Sequence, residues 1–287
     1  MTSGTLAIIL IAAVSHAVWN IASKGKRGDT YLFVFAYTLL SAVLCLPLGI
    51  VTSVYGAHPL SWSLLIGAAA SAVLHVLYSL VLQLGYDHSD LSVVYPVARG
   101  VGPLLTMTVA ITVLGERPGV IPVLGAIVVL GGIAIVTGNP FRGSARATPA
   151  PFIWGGATGA LIATYTLWDS YSITTLKLAP TTYFAATLII EAILLAPRAV
   201  IRRAGIRTSV TLNRKQIPIV AVLSPLAYIL ILTALQTVPV AIVAPLRESS
   251  IVFGALLAWW LFHEEQLGRR ITGALIVLAG IALISLA

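Results

Sequence analysis

Residues 91–116 read LSVVYPVARGVGPLLTMTVAITVLGE, and residues 240–264 read VAIVAPLRESSIVFGALLAWWLFHE. Each stretch is long and apolar enough to cross a bilayer core of about 30 Å as a helix. Tyr95-Pro96 of the first overlays Ala244-Pro245 of the second, and Gly115-Glu116 overlays His263-Glu264. The overlay extends outward with shifts of 148 to 150 residues. Trp19-Asn20 falls on Trp168-Asp169, Pro47 on Pro197, and Tyr78 on Tyr228. Gly125 and Gly132 fall on Gly273 and Gly280. Chance resemblance between apolar helices does not order tryptophans, prolines, acids and glycines in this way. The chain is therefore read as two copies of one unit, 1–143 and 144–287, joined through the Pro-, Gly-, Ser- and Arg-rich stretch from Asn139 to Pro151.

Composition sets the class. Of 287 residues, 59% are hydrophobic and 9% charged, against about 25% charged in an ordinary soluble domain. Ten segments satisfy the span criterion, near 4–23, 30–54, 61–86, 91–114, 119–138, 151–175, 180–201, 215–238, 240–262 and 269–286. The expected fold is thus an all-α integral membrane protein of ten transmembrane helices. This excludes a cytosolic enzyme, a disordered chain and a disulfide-rich secreted module. Cys45 is the one cysteine and reads as a small apolar filler. The first span has no basic residue before it and runs into a polytopic pattern, unlike a cleaved signal peptide.

The net charge of +8 sits in loops, which argues against nucleic acid as a partner. Lys24, Lys26, Arg27, Arg142, Arg146, Arg198, Arg202, Arg203, Arg207, Arg214, Lys215, Arg269 and Arg270 lie on one side, Arg117 and Lys177 on the other. The positive-inside rule makes the first side cytoplasmic and places both termini outside. Five spans per unit is an odd number, so the second unit enters from the opposite side. Such inverted repeats are common in secondary transporters, with the substrate site near the midplane.

Ten spans, the five-plus-five repeat and a proline-bearing fourth span closing in Leu114-Gly115-Glu116 resemble the drug/metabolite transporter (DMT) superfamily, specifically its EamA family. The likeness covers essentially the whole chain. His16-Ala17-Val18-Trp19-Asn20 is also similar, more weakly, to a phosphonate-utilisation-associated subgroup. The resemblance implies a basket of ten helices around a central cavity in the cell (inner) membrane. It also implies export of amino acids or other small metabolites, without fixing a substrate.

Ionisable groups at membrane depth mark candidate sites. Span orientation puts Trp19, Asn20, Tyr95 and Arg99 in the cytoplasmic half, and Trp168, Asp169, Arg247 and Glu248 in the outer half. His16, His75, Tyr78, Tyr165, Glu191 and Tyr228 fall nearer the centre. His16, Trp19 and Asn20 share one helix face at i, i+3 and i+4, and Tyr165, Trp168 and Asp169 repeat it. No acid falls at the depth of Arg99, which makes it the candidate for a ligand carboxylate or phosphonate through its bidentate fork. Snorkelling, or a structural pair with Glu191 or Glu248, are the competing readings. Arg247 is expected to pair with Asp169. Arg247 and Glu248, about 100° apart on a helix, are expected to need separate partners. Trp19, Tyr78, Tyr95, Tyr165, Trp168 and Tyr228 suit an ammonium group.

Glu191 and His75 are the candidate coupling groups, with the proton as ion. Pro96 and Pro245 are the candidate hinges, and Pro103 and Pro225 also free a carbonyl one turn back, that of Pro225 at Ala221. Glu116 and Glu264 are expected to cap the next helix, and the paired glycines to pack helices closely. Trp62, Trp154, Trp259 and Trp260 read as interface-belt residues. No nucleophile–base pair or metal-ligand spacing is present, so no enzyme, cofactor or metal is expected. The expected partners are a small-molecule substrate and the lipid bilayer, and one chain could suffice. The leading expectation is a secondary transporter, an exporter, of a small amino-acid-like or other zwitterionic metabolite. The alternative is an exporter of lipophilic cations.

Overall fold

The computed structural model describes residues 2–56, 61–88, 91–137, 149–254, 257 and 267–286. Trp259, Trp260, His263, Glu264 and most of the linker between the units lie outside them, as do the side chains of Tyr95 and Pro96. The elements are α1 (Ser3–Lys24), α2 (Thr30–Tyr55), α3 (Trp62–His88), α4 (Leu91–Thr112), α5 (Val120–Thr137), α6 (Ala150–Thr174), α7 (Pro180–Ile201), α8 (Ile206–Leu212), α9 (Gln216–Leu235), α10 (Val240–Arg247) and α11 (Leu267–Leu286). There is no strand among the described residues.

The ends obey local chemistry. Asp29 caps α2 by accepting from the amides of Tyr31 and Leu32 at 2.8 and 3.2 Å, and α7 opens on Pro180. Two elements depart from expectation. Residues expected as loop between spans seven and eight contain the short helix α8, and the Asn213 side chain following it holds the backbone of Arg27 through two hydrogen bonds. Span nine is not one helix: α10 stops at Arg247, Glu248 and Ser249 form a turn, and helix resumes over 250–254.

Among the described residues, five helices are individually long and apolar enough to span a membrane: Ser3–Ser23, Thr30–Tyr55, Trp62–Leu82, Pro180–Ile201 and Gln216–Leu235. Large aliphatic side chains face outward along them, as with Leu39, Val43, Leu46 and Ile50 on α2. An apolar surface of that extent suits lipid rather than water.

The helix pairings are those of two equivalent halves. α5 packs on α11, α2 on α7 and α4 on α10, each on its own counterpart. The α1–α9 pairing has its mirror in α6–α3. A Cβ on Gly125 would lie 2.8 Å from the carbonyl oxygen of Gly280, and one on Gly132 would lie 2.8 Å from that of Gly273. α5 and α11 therefore run antiparallel at near backbone contact, which only glycine permits. Thr52 meets Thr182 at 2.8 Å and the Tyr31 hydroxyl donates to the Leu195 carbonyl at 2.6 Å, so α2 and α7 are antiparallel too.

Candidate functional site

α1 brings His16 and Trp19 to a central cavity, their rings edge to face at 4.9 Å. The third member of that face, Asn20, turns back on its own helix, donating to the His16 carbonyl at 2.7 Å. α6 divides likewise: Tyr165 lines the cavity, whereas the Trp168 indole N–H donates to the Gly67 carbonyl of α3 at 2.9 Å. Tyr78, His75, Tyr228, Glu191 and Arg247 complete the chemically distinctive wall of this space of about 120 Å³. The buried indole N–H of Trp19 has no hydrogen-bond partner among the described residues.

The charges sort into two groups. In the first, Arg99 Nη1 reaches Glu248 Oε2 at 3.1 Å, Arg99 Nη2 lies 3.2 Å from His16 Nε2, and Arg247 Nε lies 3.3 Å from Glu248 Oε1. Glu248 is completely buried. Arg99 thus makes the pair with Glu248 that competed with a ligand-anion role, and it is not among the residues lining the cavity. Two expectations are corrected. Arg247 pairs with its neighbour Glu248, not with Asp169: the two long side chains reach each other across the offset between adjacent residues. Arg99 and Glu248, expected in opposite halves of the membrane, are in side-chain contact.

The second group surrounds Asp169, also completely buried. It accepts from the Tyr183 hydroxyl through Oδ1 at 2.6 Å and from the Tyr228 hydroxyl through Oδ2. His75 Nε2 lies 3.2 Å from Oδ2. The opposite ring nitrogen, His75 Nδ1, lies 4.0 Å from Glu191 Oε1.

Glu191 also lines a vestibule of about 320 Å³ that shares Tyr37, Thr38 and Ser79 with the central cavity and extends to Asp29, Arg198 and Arg202. Arg202 holds Asp29 at 2.6 Å, and the Arg198 guanidinium lies over the Tyr31 ring at 5.0 Å. Partial burial pushes the Asp29 carboxyl up, but the Leu32 amide, Arg202 and the Tyr31 amide outweigh it and hold the group below its ordinary value.

Two structural expectations have specific outcomes. The Ala221 carbonyl, which Pro225 leaves without its helical donor, accepts from the Ser41 hydroxyl at 3.0 Å. Glu116 is a cap, but not of α5: its two oxygens accept from Val240 and Ala241 at 3.1 and 3.0 Å, capping α10. Positive φ at Gly115 and Gly119 frees the turn to aim the carboxylate there. Trp62 is exposed, as a belt residue would be, while Trp154 stacks on His88 with ring centroids 6.0 Å apart.

Several wall residues had no sequence signal to separate them from ordinary span residues: Tyr37, Thr38, Ser79, Phe184 and Ser224. Ser41, at the position of the first unit equivalent to Glu191, also reaches the cavity.

The EamA-like transporter family model matches the chain twice, over residues 3–138 and 151–286. The chain belongs to the EamA-like transporter family. It is accordingly a multi-pass membrane transporter of the DMT type, built from two family repeats. The comparison with curated proteins gives no match. A solved structure titled "Crystal structure of protein" is similar with a TM-score of 0.79 over 100% of this chain and 98% of that one, at 14% identity. A likeness at that identity concerns the fold alone.

Proposed function

We propose that this EamA-family transporter moves a small amino-acid-like zwitterion by alternating access, in the direction of export, through the cavity between its two repeats. The observation that carries the reading is one small aromatic-walled cavity with Arg247 on its wall and Glu191 at its junction with the vestibule. Arg247 takes the ligand carboxylate or phosphonate, a task for which its planar fork is suited, and the unpartnered Trp19 N–H is available to the same group. Glu191 takes the ammonium beside the Tyr78 and Tyr228 rings. Arg99, Glu248 and Asp169 act behind the wall, holding Arg247 and His75 in place. Asn20 and Trp168 act as helix-packing residues.

The antiparallel pairing of α5 with α11 and of α2 with α7 supports an inverted five-plus-five repeat, hence ten spans with both termini outside the inner membrane. The helix break after Pro245 supports a hinge there, with Pro96 as its counterpart. The vestibule at Asp29 and Arg202 then opens to the cytoplasm, where an exporter loads. Glu191 and His75, joining vestibule and cavity, are the groups through which a proton would couple.

Thermal stabilisation of the detergent-purified protein tests the reading, because a ligand that binds only the folded state raises Tm. Amino acids and aminoalkylphosphonates are expected to stabilise the native protein, and the effect to disappear in Arg247→Gln while persisting in Asn20→Ala. Stabilisation by lipophilic cations alone, unchanged in Arg247→Gln, would replace this reading with cation export. Uptake into proteoliposomes then gives direction and ion coupling.

A further inference from the structure

The Asp169 cage does more than bury an acid. Asp169 is fully enclosed, and two tyrosine hydroxyls and His75 Nε2 converge on its carboxylate. An ionised carboxylate only accepts hydrogen bonds, so the imidazole nitrogen facing it must carry the hydrogen. In a neutral imidazole that leaves the other nitrogen, Nδ1, bare. Tyr165, Tyr228 and Phe184 flank the ring at centroid distances of 4.2, 5.2 and 6.4 Å. Nδ1, the open acceptor of that neutral tautomer, is 4.0 Å from Glu191 Oε1. Both atoms belong to residues that line the cavity.

Four ångströms is too long for a hydrogen bond between the two groups and suits a third atom between them. A nitrogen about 2.9 Å from each acceptor bridges that gap with an angle of about 90°, close to the spread of two N–H bonds on an ammonium. We propose that His75 Nδ1 and Glu191 form a two-acceptor cradle for an N–H-bearing ammonium, with Asp169 as the positioning residue that sets the His75 tautomer. The inference rests on the zwitterion reading and narrows it: primary and secondary amines are substrates, and quaternary ammonium compounds are not. The aromatic wall alone would accept either kind of cation, since a ring face attracts charge whether or not it carries N–H. The cradle is what discriminates, because a trimethylated nitrogen leaves both acceptors facing methyl groups.

Two measurements decide it. The first is the ¹⁵N spectrum of histidine-labelled, ligand-free protein in detergent. The chain has five histidines, so subtraction of the His75→Phe spectrum assigns His75. A neutral ring protonated at Nε2 is expected, and Asp169→Asn is expected to shift it toward a tautomer mixture. A ring protonated at Nδ1, or doubly protonated, overturns the proposal. The second is binding of glycine, L-alanine, L-leucine and L-phenylalanine, each paired with its Nα-trimethyl analogue. The native protein is expected to prefer the free amine by roughly tenfold or more, the value of one hydrogen bond to a charged group. That ratio is expected to fall toward one in His75→Phe, whose ring keeps the aromatic packing, and Glu191→Gln gives an independent variant should the first fold poorly. Equal binding of both members of a pair overturns the cradle and leaves the zwitterion reading standing. Binding by neither member of any pair removes both.

Discussion

Arg99 and Glu248 stand 149 residues apart, at equivalent positions of the two repeats, and meet as a buried ion pair with Nη1 3.1 Å from Oε2. α4 packs on α10, its own counterpart, so a residue close to the local twofold axis faces its equivalent. The same position holds a base in one repeat and an acid in the other. A symmetric pair of like charges there would repel in a medium of low dielectric constant. Arg247, at 3.3 Å, shares the acid.

One acid serving two arginines predicts unequal costs of removal. Glu248→Gln leaves two buried cations facing each other and is expected to destabilise the protein by about 3 kcal/mol or more. Arg99→Gln leaves the Arg247–Glu248 pair and should cost clearly less. Thermal or chemical unfolding in one detergent measures both, and equal losses would show that Glu248 is not shared.

Close helix contact predicts a sharp positional effect among glycines. A Cβ at Gly280 would sit 2.7 Å from the Gly125 carbonyl oxygen and 2.8 Å from the Val129 nitrogen. Gly280→Ala must push α11 from α5 and is expected to cost about 1–3 kcal/mol, as overpacking does. Gly156→Ala meets nothing within 4 Å and is expected to leave the melting temperature unchanged or raise it slightly. Comparable losses at both sites would contradict this packing.

Glu116 bridges the α4–α5 turn to the start of α10. Glu116→Ala leaves two amide donors unpaired and is expected to cost about 1 kcal/mol. Glu116→Gln keeps one acceptor and should recover part of that. Faster amide exchange confined to Val240 and Ala241 would locate the effect; a change spread over α5 instead would mean that the carboxylate caps its own next helix.

Asp29 predicts a dependence on pH. Its pKa is lower in the folded protein than the ordinary 3.8, so the folded state favours the ionised form and the unfolded state holds the proton more readily. The stability it confers is present above about pH 4 and is lost as pH falls through the depressed value. Both partners of the Arg202 pair are partly exposed, so the effect is small. The melting temperature of the native protein minus that of Asp29→Asn should shrink as pH falls from 6 to 3, and salt should reduce it at pH 6. A difference that grows on acidification would contradict the assignment.

The limits of several spans, the two copies and the glycine seam were legible in the sequence because each is a local property, whereas the break in span nine was not. The expected segment 180–201 and the helix Pro180–Ile201 coincide, and 30–54 differs from Thr30–Tyr55 by one residue. Asp29 before α2, through its side-chain carboxylate, and Pro180 opening α7, through its fixed φ, set those limits locally. Gly125, Gly132, Gly273 and Gly280 announce close packing because absence of a side chain is itself the requirement. The candidate site was legible as an inventory: His16, Trp19, His75, Tyr78, Glu191 and Arg247 all line one cavity.

Which charge meets which was only partly legible. The Arg99–Glu248 pair was one of several competing readings, and helical periodicity sent Arg247 and Glu248 to different partners although their side chains meet. Nothing in the order of residues marks Tyr183 as a donor to Asp169, or turns Trp168 away from the cavity toward Gly67. The physical division is plain. Whether a segment is a membrane helix depends on the sum of its own side-chain transfer free energies and its end chemistry, which the sequence carries residue by residue. Whether Arg99 or Arg247 is left to face the cavity depends on the rotation and axial offset of α1, α4 and α10 against one another, and that is a property of the packed structure alone.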